Sequence, residues 1–536
     1  MKHLYSFLLS ALVCLSLSAQ NKVSGDSLAA DFHYLVKQLE AAHPDPYTGF
    51  GGKVFFHKQA FNLENELRSQ PHTLQEFWDK SMAFLSFIQD GHTYLFSLAS
   101  KQQQKQSYLP VGFRCIPDGL IVQSLPAAHQ DLLGSLLVGI NGKSMDELLA
   151  RTASLFACDN LYNRYSVFCR NVVRRQFMQQ LLPDLEDTVC FYLRTPDGKD
   201  VTLEQHFMEN EELRKAEKVN LPSWVGCPEE QMAYRFIDKK KEVMMFKVNS
   251  IMARDNFEYM YKHMKGDLLR QMEFYYQNAL KKEMPADTLQ AIRALPSFSG
   301  TFAAMLKEMK KHHSEYLIID LRGNSGGWTP IVLASLYQLY GDKYLQKDMD
   351  TEYYRIVSPL YMNKLEITLE EFNRRYGTDY SFGDYTFSMK EQEDIPLDTL
   401  RRQFIDGCMS SVKEELRAQK GAPVYAPKQV FVVTDERTFS AAFHYAFMLW
   451  KMGATVVGVP SGQAPNTFME QTLFKLPYTG IEGSISNSVQ IFLPGKDKRA
   501  KTFWPDVMLT YDEYKQTGFD KQAEILFLLN KIGQEK

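Results

Sequence analysis

Tyr316-Leu317-Ile318-Ile319-Asp320-Leu321-Arg322-Gly323-Asn324-Ser325-Gly326-Gly327 runs an unbroken apolar strand straight into a glycine turn, with one acid and one base at the junction. A second stretch repeats the shape more than a hundred residues later. Gln429-Val430-Phe431-Val432-Val433-Thr434-Asp435-Glu436-Arg437-Thr438-Phe439-Ser440-Ala441-Ala442 is an apolar strand that ends in a polar turn and delivers Ser440 to the start of a helix. Short apolar runs bounded by turn residues read as strands buried on both faces, so the two segments predict an α/β core.

The placement of Ser440 suits nucleophilic chemistry. A serine hydroxyl is useful when a turn lifts it clear of the sheet and the following helix offers backbone N–H groups to a developing oxyanion. Ala441, Ala442 and the apolar Tyr445, Ala446, Met448 and Leu449 supply that helix. The plainer reading makes Ser440 a helix N-cap, a common role for serine. Asn324-Ser325-Gly326-Gly327 is likewise an ordinary strand-to-helix loop on its own. Phosphate cradling is excluded, since neither a Lys-Ser/Thr after the glycines nor a spaced G-x-G-x-x-G is present.

Together with Asp90-Gly91-His92-Thr93, these segments resemble the C-terminal processing (tail-specific) and tricorn-core family of serine peptidases, in the family's order. Val457-Gly458-Val459-Pro460-Ser461-Gly462-Gln463-Ala464-Pro465-Asn466 resembles the family's Gly-Glu-Pro-Thr-Gly-Gly run. Trp504-Pro505-Asp506-Val507 resembles its closing strand. The resemblance implies a serine peptidase acting on polypeptide, with Ser440 as nucleophile. One branch of the family takes a lysine base from the Thr-Gly-rich segment, yet no lysine occurs from Gly453 to Gln471. The other branch takes a histidine from the N-terminal part, which implies His92, an imidazole that titrates near working pH. Without the resemblance, Asp90-Gly91-His92-Thr93 reads as a polar turn after an amphipathic helix.

A histidine base needs a group to fix its tautomer. Glu470 is the first candidate, with Asp497 and Asp506 behind it, and a solvated surface carboxylate is the plainer reading of Glu470. Tricorn-like sites carry a serine directly before the histidine, where this chain has Gly91. For the oxyanion, the expected donors are the backbone N–H groups of Ala441 and of Gly326 or Gly327. Asp320 and Arg322 are expected to tie strands and loop together rather than touch substrate. No metal or organic cofactor is expected.

The chain opens with basic Met1-Lys2-His3, an apolar run from Leu4 to Leu17 and small residues in Ser16-Leu17-Ser18-Ala19-Gln20. That pattern predicts a secretory signal peptide over 1–19 and a periplasmic or extracellular protein. A lipoprotein is the weaker option, because Val13 before Cys14 is not the small residue expected there. No segment is long and apolar enough to predict an integral membrane span. With 536 residues, 45% of them hydrophobic, the chain can fill several cores. A net charge of −3 and the absence of a basic, aromatic-interleaved stripe argue against nucleic acid. Cys115, Cys158, Cys169, Cys190, Cys227 and Cys408 show neither a C-x-x-C pair nor zinc spacing, so no obligatory disulfide framework is predicted.

Helical spacing of Leu28, Phe32, Leu35 and Leu39, of Phe61, Leu63 and Leu67, and of Phe77, Met82, Phe84 and Phe87 predicts an N-terminal helical domain over 20–106. It ends in the polar linker Lys101 to Gln106. Short strands and the Ile140-Asn141-Gly142 hairpin follow, giving a β-rich unit over 107–208 that resembles a PDZ-like module. Such a sheet can take a peptide as an added strand. The resemblance then implies a crotonase/ClpP-like catalytic core in two parts. The first spans 230–344 with a helical insertion at 252–313, and the second spans 424–530. Residues 345–423 read as an aromatic, irregular insertion, either a lid or a docking surface. Two functions follow: a secreted serine endopeptidase of extended polypeptides, or an inactive peptide- or lipophile-binding protein on the same fold.

Overall fold

The computed structural model describes residues 22–98, 106–349, 351–387 and 395–534. The expected signal peptide and most of the polar linker at 101–106 lie outside the described residues. The chain is a mixed α/β, multidomain structure, with three larger sheets and a two-stranded one among the described residues.

The opening stretch forms the middle of a five-stranded sheet. Its order is Met232–Phe236, Val243–Val248, Tyr316–Asp320, Gln429–Thr434, Thr455–Gly458, the first pair antiparallel and the rest parallel. Every residue of Tyr316–Asp320 is buried, as a strand covered on both faces requires. One face packs on Phe298, Phe302 and Leu306 of the helix Phe298–His312, Ile331 and Leu336 of Pro330–Tyr340, and Phe443 and Tyr445 of Ala441–Lys451. The other face packs on Ile116, Ile121, Tyr514, Ile525 and Leu528. In register, Asp320 sits opposite Val433, so both polar turns leave the sheet at the same edge. The helix Phe298–His312 is thus part of the core packing, although it falls within the stretch read as an insertion.

A second sheet is built around the long hairpin Asn466–Lys475 and Glu482–Ile491. Tyr94–Leu95, after Asp90-Gly91-His92-Thr93, and Glu352–Ile356 both pair with Glu482–Ile491, at opposite ends of that strand, and Tyr385–Phe387 pairs with Glu352–Ile356. The stretch 345–423 is therefore more regular than expected. It adds two strands and four helices, among them Pro359–Leu365 and Leu397–Gly407. Its aromatic residues read as irregular because strands that pair only with distant segments carry no local period. A seven-stranded sheet at 112–220 packs on helices within 145–181, and its strand Lys218–Asn220 runs past the expected limit at 208.

The N-terminal helices Gly25–Ala42, Lys53–Arg68 and Leu74–Ser86 share one core with the hairpin, through Leu28, Phe32, Phe77 and Phe84 against Phe474, Leu476, Ile481 and Ile485. Buried Asp31 accepts the backbone N–H groups of Tyr478 and Thr479, both at 2.8 Å. This docking carries His92 to the central sheet. Among the described residues no helix is long and apolar enough to cross a membrane.

Candidate active site

Ser440 stands between its strand and the helix Ala441–Lys451 with φ 51° and ψ −127°. A non-glycine residue there is strained, and the surrounding contacts must hold it. Its hydroxyl makes no capping hydrogen bond, so the plain N-cap reading does not describe it. The elbow is gripped from two sides. The Ser440 N–H donates to the buried Gln463 Oε1, and the Phe439 N–H donates to the Asn324 carbonyl at 3.1 Å. Asn324 is fully buried and also spans to Val248, its Nδ2 donating to that carbonyl at 2.9 Å. Neither Asn324 nor Gln463 was given a role from sequence, because an amide in a turn has many uses until its partners are known.

The glycine turn lies directly against Ser440. A Cβ at Gly326 would come within 2.7 Å of Ser440 Cβ and 2.9 Å of the Ala441 nitrogen, so glycine is needed for that approach. As an oxyanion donor, however, Gly326 must be set aside: its N–H already donates to Asn324 Oδ1 at 2.9 Å. Neither the Ala441 N–H nor the Gly327 N–H has a hydrogen-bond acceptor among the described residues. Gly327, at φ +144°, pairs with Ile251 as an isolated bridge.

His92 is 5% exposed, and neither Nδ1 nor Nε2 has a hydrogen-bond partner. Its ring packs on Phe439, the residue before the nucleophile, at 4.7 Å between centroids. Both His92 and Ser440 line one cleft of about 2860 Å³, but no hydrogen bond joins them. Burial pushes the His92 imidazole below its ordinary value, opposed by Asp90, the Phe468 carbonyl and Glu470. The residue before it is glycine for a steric reason. A Cβ at Gly91 would sit 2.8 Å from the Phe439 ring and 3.1 Å from Asp159 and Asn163 oxygens.

Glu470 sits at φ 64° where the hairpin pairing skips one residue without a change of register, and it lines the cleft. Burial pushes its carboxyl up, but Lys364 and Arg355 outweigh that and hold it low, at 3.4 and 3.1 Å. Both cations come from the 345–423 stretch. Glu470 thus has two partners of its own and no hydrogen bond with His92, whereas Asp90 Oδ1 lies 3.8 Å from His92 Nδ1. Burial by itself raises Asp90, yet the hydrogen bond from His43 and the nearby imidazoles bring it down to about 2, so it stays ionised. The reserve candidates are elsewhere. Asp497 closes a turn with Arg499, and Asp506 accepts the Val456 N–H at 2.9 Å; neither lines the cleft.

Asp320 and Arg322 do structural work, as expected. Arg322 bonds Asp320 at 2.8 Å and Glu524 at 2.7 Å, while Lys247 stands 3.1 Å from Asp320. Two further buried groups emerge only from the fold. Asp159 accepts the Gly91 N–H at 2.8 Å and the Ala464 N–H at 3.2 Å, clamping the His92 turn to the segment after the nucleophile helix. Burial and nearby Asp90 push it up to about 7. His444, one turn beyond Ser440, is spoken for on both nitrogens by Thr329 and Gln490, each at 2.8 Å. Burial lowers it to about 4, which makes it a poor base near neutrality. No cluster of three or more His, Cys, Asp or Glu among the described residues is placed to hold a metal ion.

Residues 291–482 match the model of Peptidase family S41. No curated protein sequence matches the chain. Among solved structures, mature CPAF is 14% identical, with a TM-score of 0.54 over 95% of this chain and 98% of its own. The same protein complexed with lactacystin gives 14% and 0.53, over 94% and 97%. The photosystem II D1 C-terminal processing protease is 11% identical with a TM-score of 0.39, over 91% and 94%. At such identities the first two speak for the fold alone.

Proposed function

We propose, from the match of residues 291–482 to the model of Peptidase family S41, that the chain is an exported endopeptidase that cuts extended polypeptides, with Ser440 as nucleophile and His92 as general base. One observation carries this reading: a strained serine without a cap and a buried histidine bare on both nitrogens line the same cleft. Unsatisfied buried nitrogens are costly and rare, and a base awaiting a proton accounts for the bare acceptor nitrogen. Small-molecule pockets run to about 300–1,000 Å³. A cleft of about 2860 Å³ suits a polymer better.

In this mechanism Ser440 Oγ attacks the scissile carbonyl carbon while His92 takes the hydroxyl proton. The carbonyl oxygen becomes an oxyanion facing the N–H groups of Ala441 and Gly327. His92 then gives its proton to the departing amine as the C–N bond breaks, leaving an acyl-serine. Water, deprotonated by His92, repeats the cycle and frees the acid. Asp90 and Glu470 favour the imidazolium that forms at His92. In the same reading, the seven-stranded sheet is the PDZ-like module and the five-stranded sheet the crotonase/ClpP-like core.

A fluorophosphonate probe tests the assignment. Wild-type chain should be labelled and hydrolyse an unfolded polypeptide; Ser440→Ala should do neither while keeping its fold. Removing one hydroxyl from a turn costs at most about 1–2 kcal/mol even where it caps a helix. A folded wild-type chain that neither labels nor cleaves points instead to a binding protein on the same fold.

A further inference from the structure

Behind His92 lies another buried histidine that the mechanism leaves unused. His43 follows the helix Gly25–Ala42, and its backbone N–H donates to the Leu39 carbonyl at 3.0 Å. Its side chain has no exposed surface. A neighbour fixes its tautomer: the backbone N–H of Asp45 donates to Nδ1 at 3.1 Å, so Nδ1 is the acceptor and Nε2 carries the hydrogen. Nε2 lies 3.3 Å from Asp90 Oδ2, an oxygen that also accepts the Thr93 hydroxyl. With Oδ2 held there, Oδ1 faces the other way. It accepts the His92 backbone N–H at 2.8 Å and stands 3.8 Å from His92 Nδ1. Phe468, on the hairpin strand that carries Glu470, packs on the His43 ring at 4.4 Å.

We propose that His43 is a positioning residue for the peptidase reaction, its Nε2–H holding Asp90 so that Oδ1 is presented to Nδ1 of His92. The inference rests on His92 being the base. A mere staple between helix end and turn would need no tautomer. Here the Asp45 N–H selects the one that donates to Asp90, and Asp90 passes the orientation to Nδ1 of His92.

The groups that set the response to pH can be named. His92 is faced by Asp90 on its own turn, by Glu470 on the hairpin and by His444 on the nucleophile helix. Asp90 is faced by His43 and, from the neighbouring loop, Asp159. His43 itself meets Asp90 and Asp45.

The test compares His43→Gln with His43→Asn in the full chain. A glutamine amide can place an N–H where Nε2–H stood, while asparagine stops short. Readouts are urea unfolding, kcat and KM on a fluorogenic polypeptide, and the pH dependence of fluorophosphonate labelling. His43→Asn should lose roughly tenfold or more in kcat with KM within about twofold, and its labelling should titrate at a shifted pH. His43→Gln should recover to within about threefold. A His43→Asn chain that loses stability yet keeps wild-type kcat and pH profile overturns the proposal, as does a Gln variant no better than Asn. His92→Ala, measured alongside, separates the two levels. An active His92→Ala overturns the base assignment, whereas an inactive one beside a wild-type-like His43→Asn overturns only the role of His43.

Discussion

As the proposed general base His92 has to be unprotonated, so kcat/KM should rise with pH as its imidazole loses the proton. Burial depresses its ionisation, which puts the rise below the ordinary value of about 6.5. Activity should then persist at mildly acidic pH. His92→Ala should remove that ionisation together with most of the rate, roughly 10²–10⁴-fold. Lys475→Ala, which changes the nearest lysine downstream of the Gly453 to Gln471 gap, should leave both close to wild type. A pH–rate profile of the three proteins decides the matter: if Lys475→Ala erases the ionisation and His92→Ala spares it, the base is the lysine. Asp90 illustrates what a residue's neighbours add. Within its turn it is an unremarked acid, and only His43, Thr93 and the His92 N–H make it an ionised, oriented partner.

At the scale of elements, the helix Ala441–Lys451 follows the proposed nucleophile and carries a histidine kept neutral. Burial lowers His444 to about 4. Below pH 6.5 the unfolded chain takes up a proton that the folded chain refuses. Stability from this group is therefore fully present above about 6.5, falls as the pH drops, and stops falling below about 4. The full loss amounts to about 3 kcal/mol. His444→Gln cannot titrate, so the fall in unfolding free energy from pH 7 to 4 should be smaller in the variant by that amount. Urea unfolding at the two pH values measures the difference. An equal fall in both proteins would mean that His444 titrates in the fold as it does in the unfolded chain. The turn Asp320 to Gly327 shows the same dependence on packing, since the Asn324 side chain links the strand Val243–Val248 to the glycine turn and its backbone carbonyl accepts the Phe439 N–H.

At the scale of the whole molecule, the proposed site exists only because the N-terminal helices dock on the hairpin. Asp31 holds that dock through two backbone N–H groups of the Leu476 to Ile481 turn region. Asp31→Ala should destabilise the N-terminal unit by about 2 kcal/mol or more, as hydrogen bonds to a charged group are worth about 1.5–3 kcal/mol each. Hydrogen exchange in the helices Gly25–Ala42 and Leu74–Ser86 should rise before that of the central sheet, and kcat should fall with it. Unchanged exchange and turnover would show that the apolar core between helices and hairpin suffices.

The sequence by itself determined the central strands, the glycine turn and the serine at the start of its helix, because each is a local pattern: an apolar run, a turn residue, a helical period. It also singled out His92, and the structure carries it to the cleft of Ser440. Tertiary structure alone decided the rest. Gly326 lost its expected part to Asn324, Glu470 turned out to be held by Arg355 and Lys364 from a stretch read as irregular, and Asp90, His43 and Asp159 gained partners hundreds of residues apart or on other elements. A hydrogen bond or ion pair is set by distances of a few ångströms between side chains, and sequence separation carries no record of that distance once the strands and helices between them have packed.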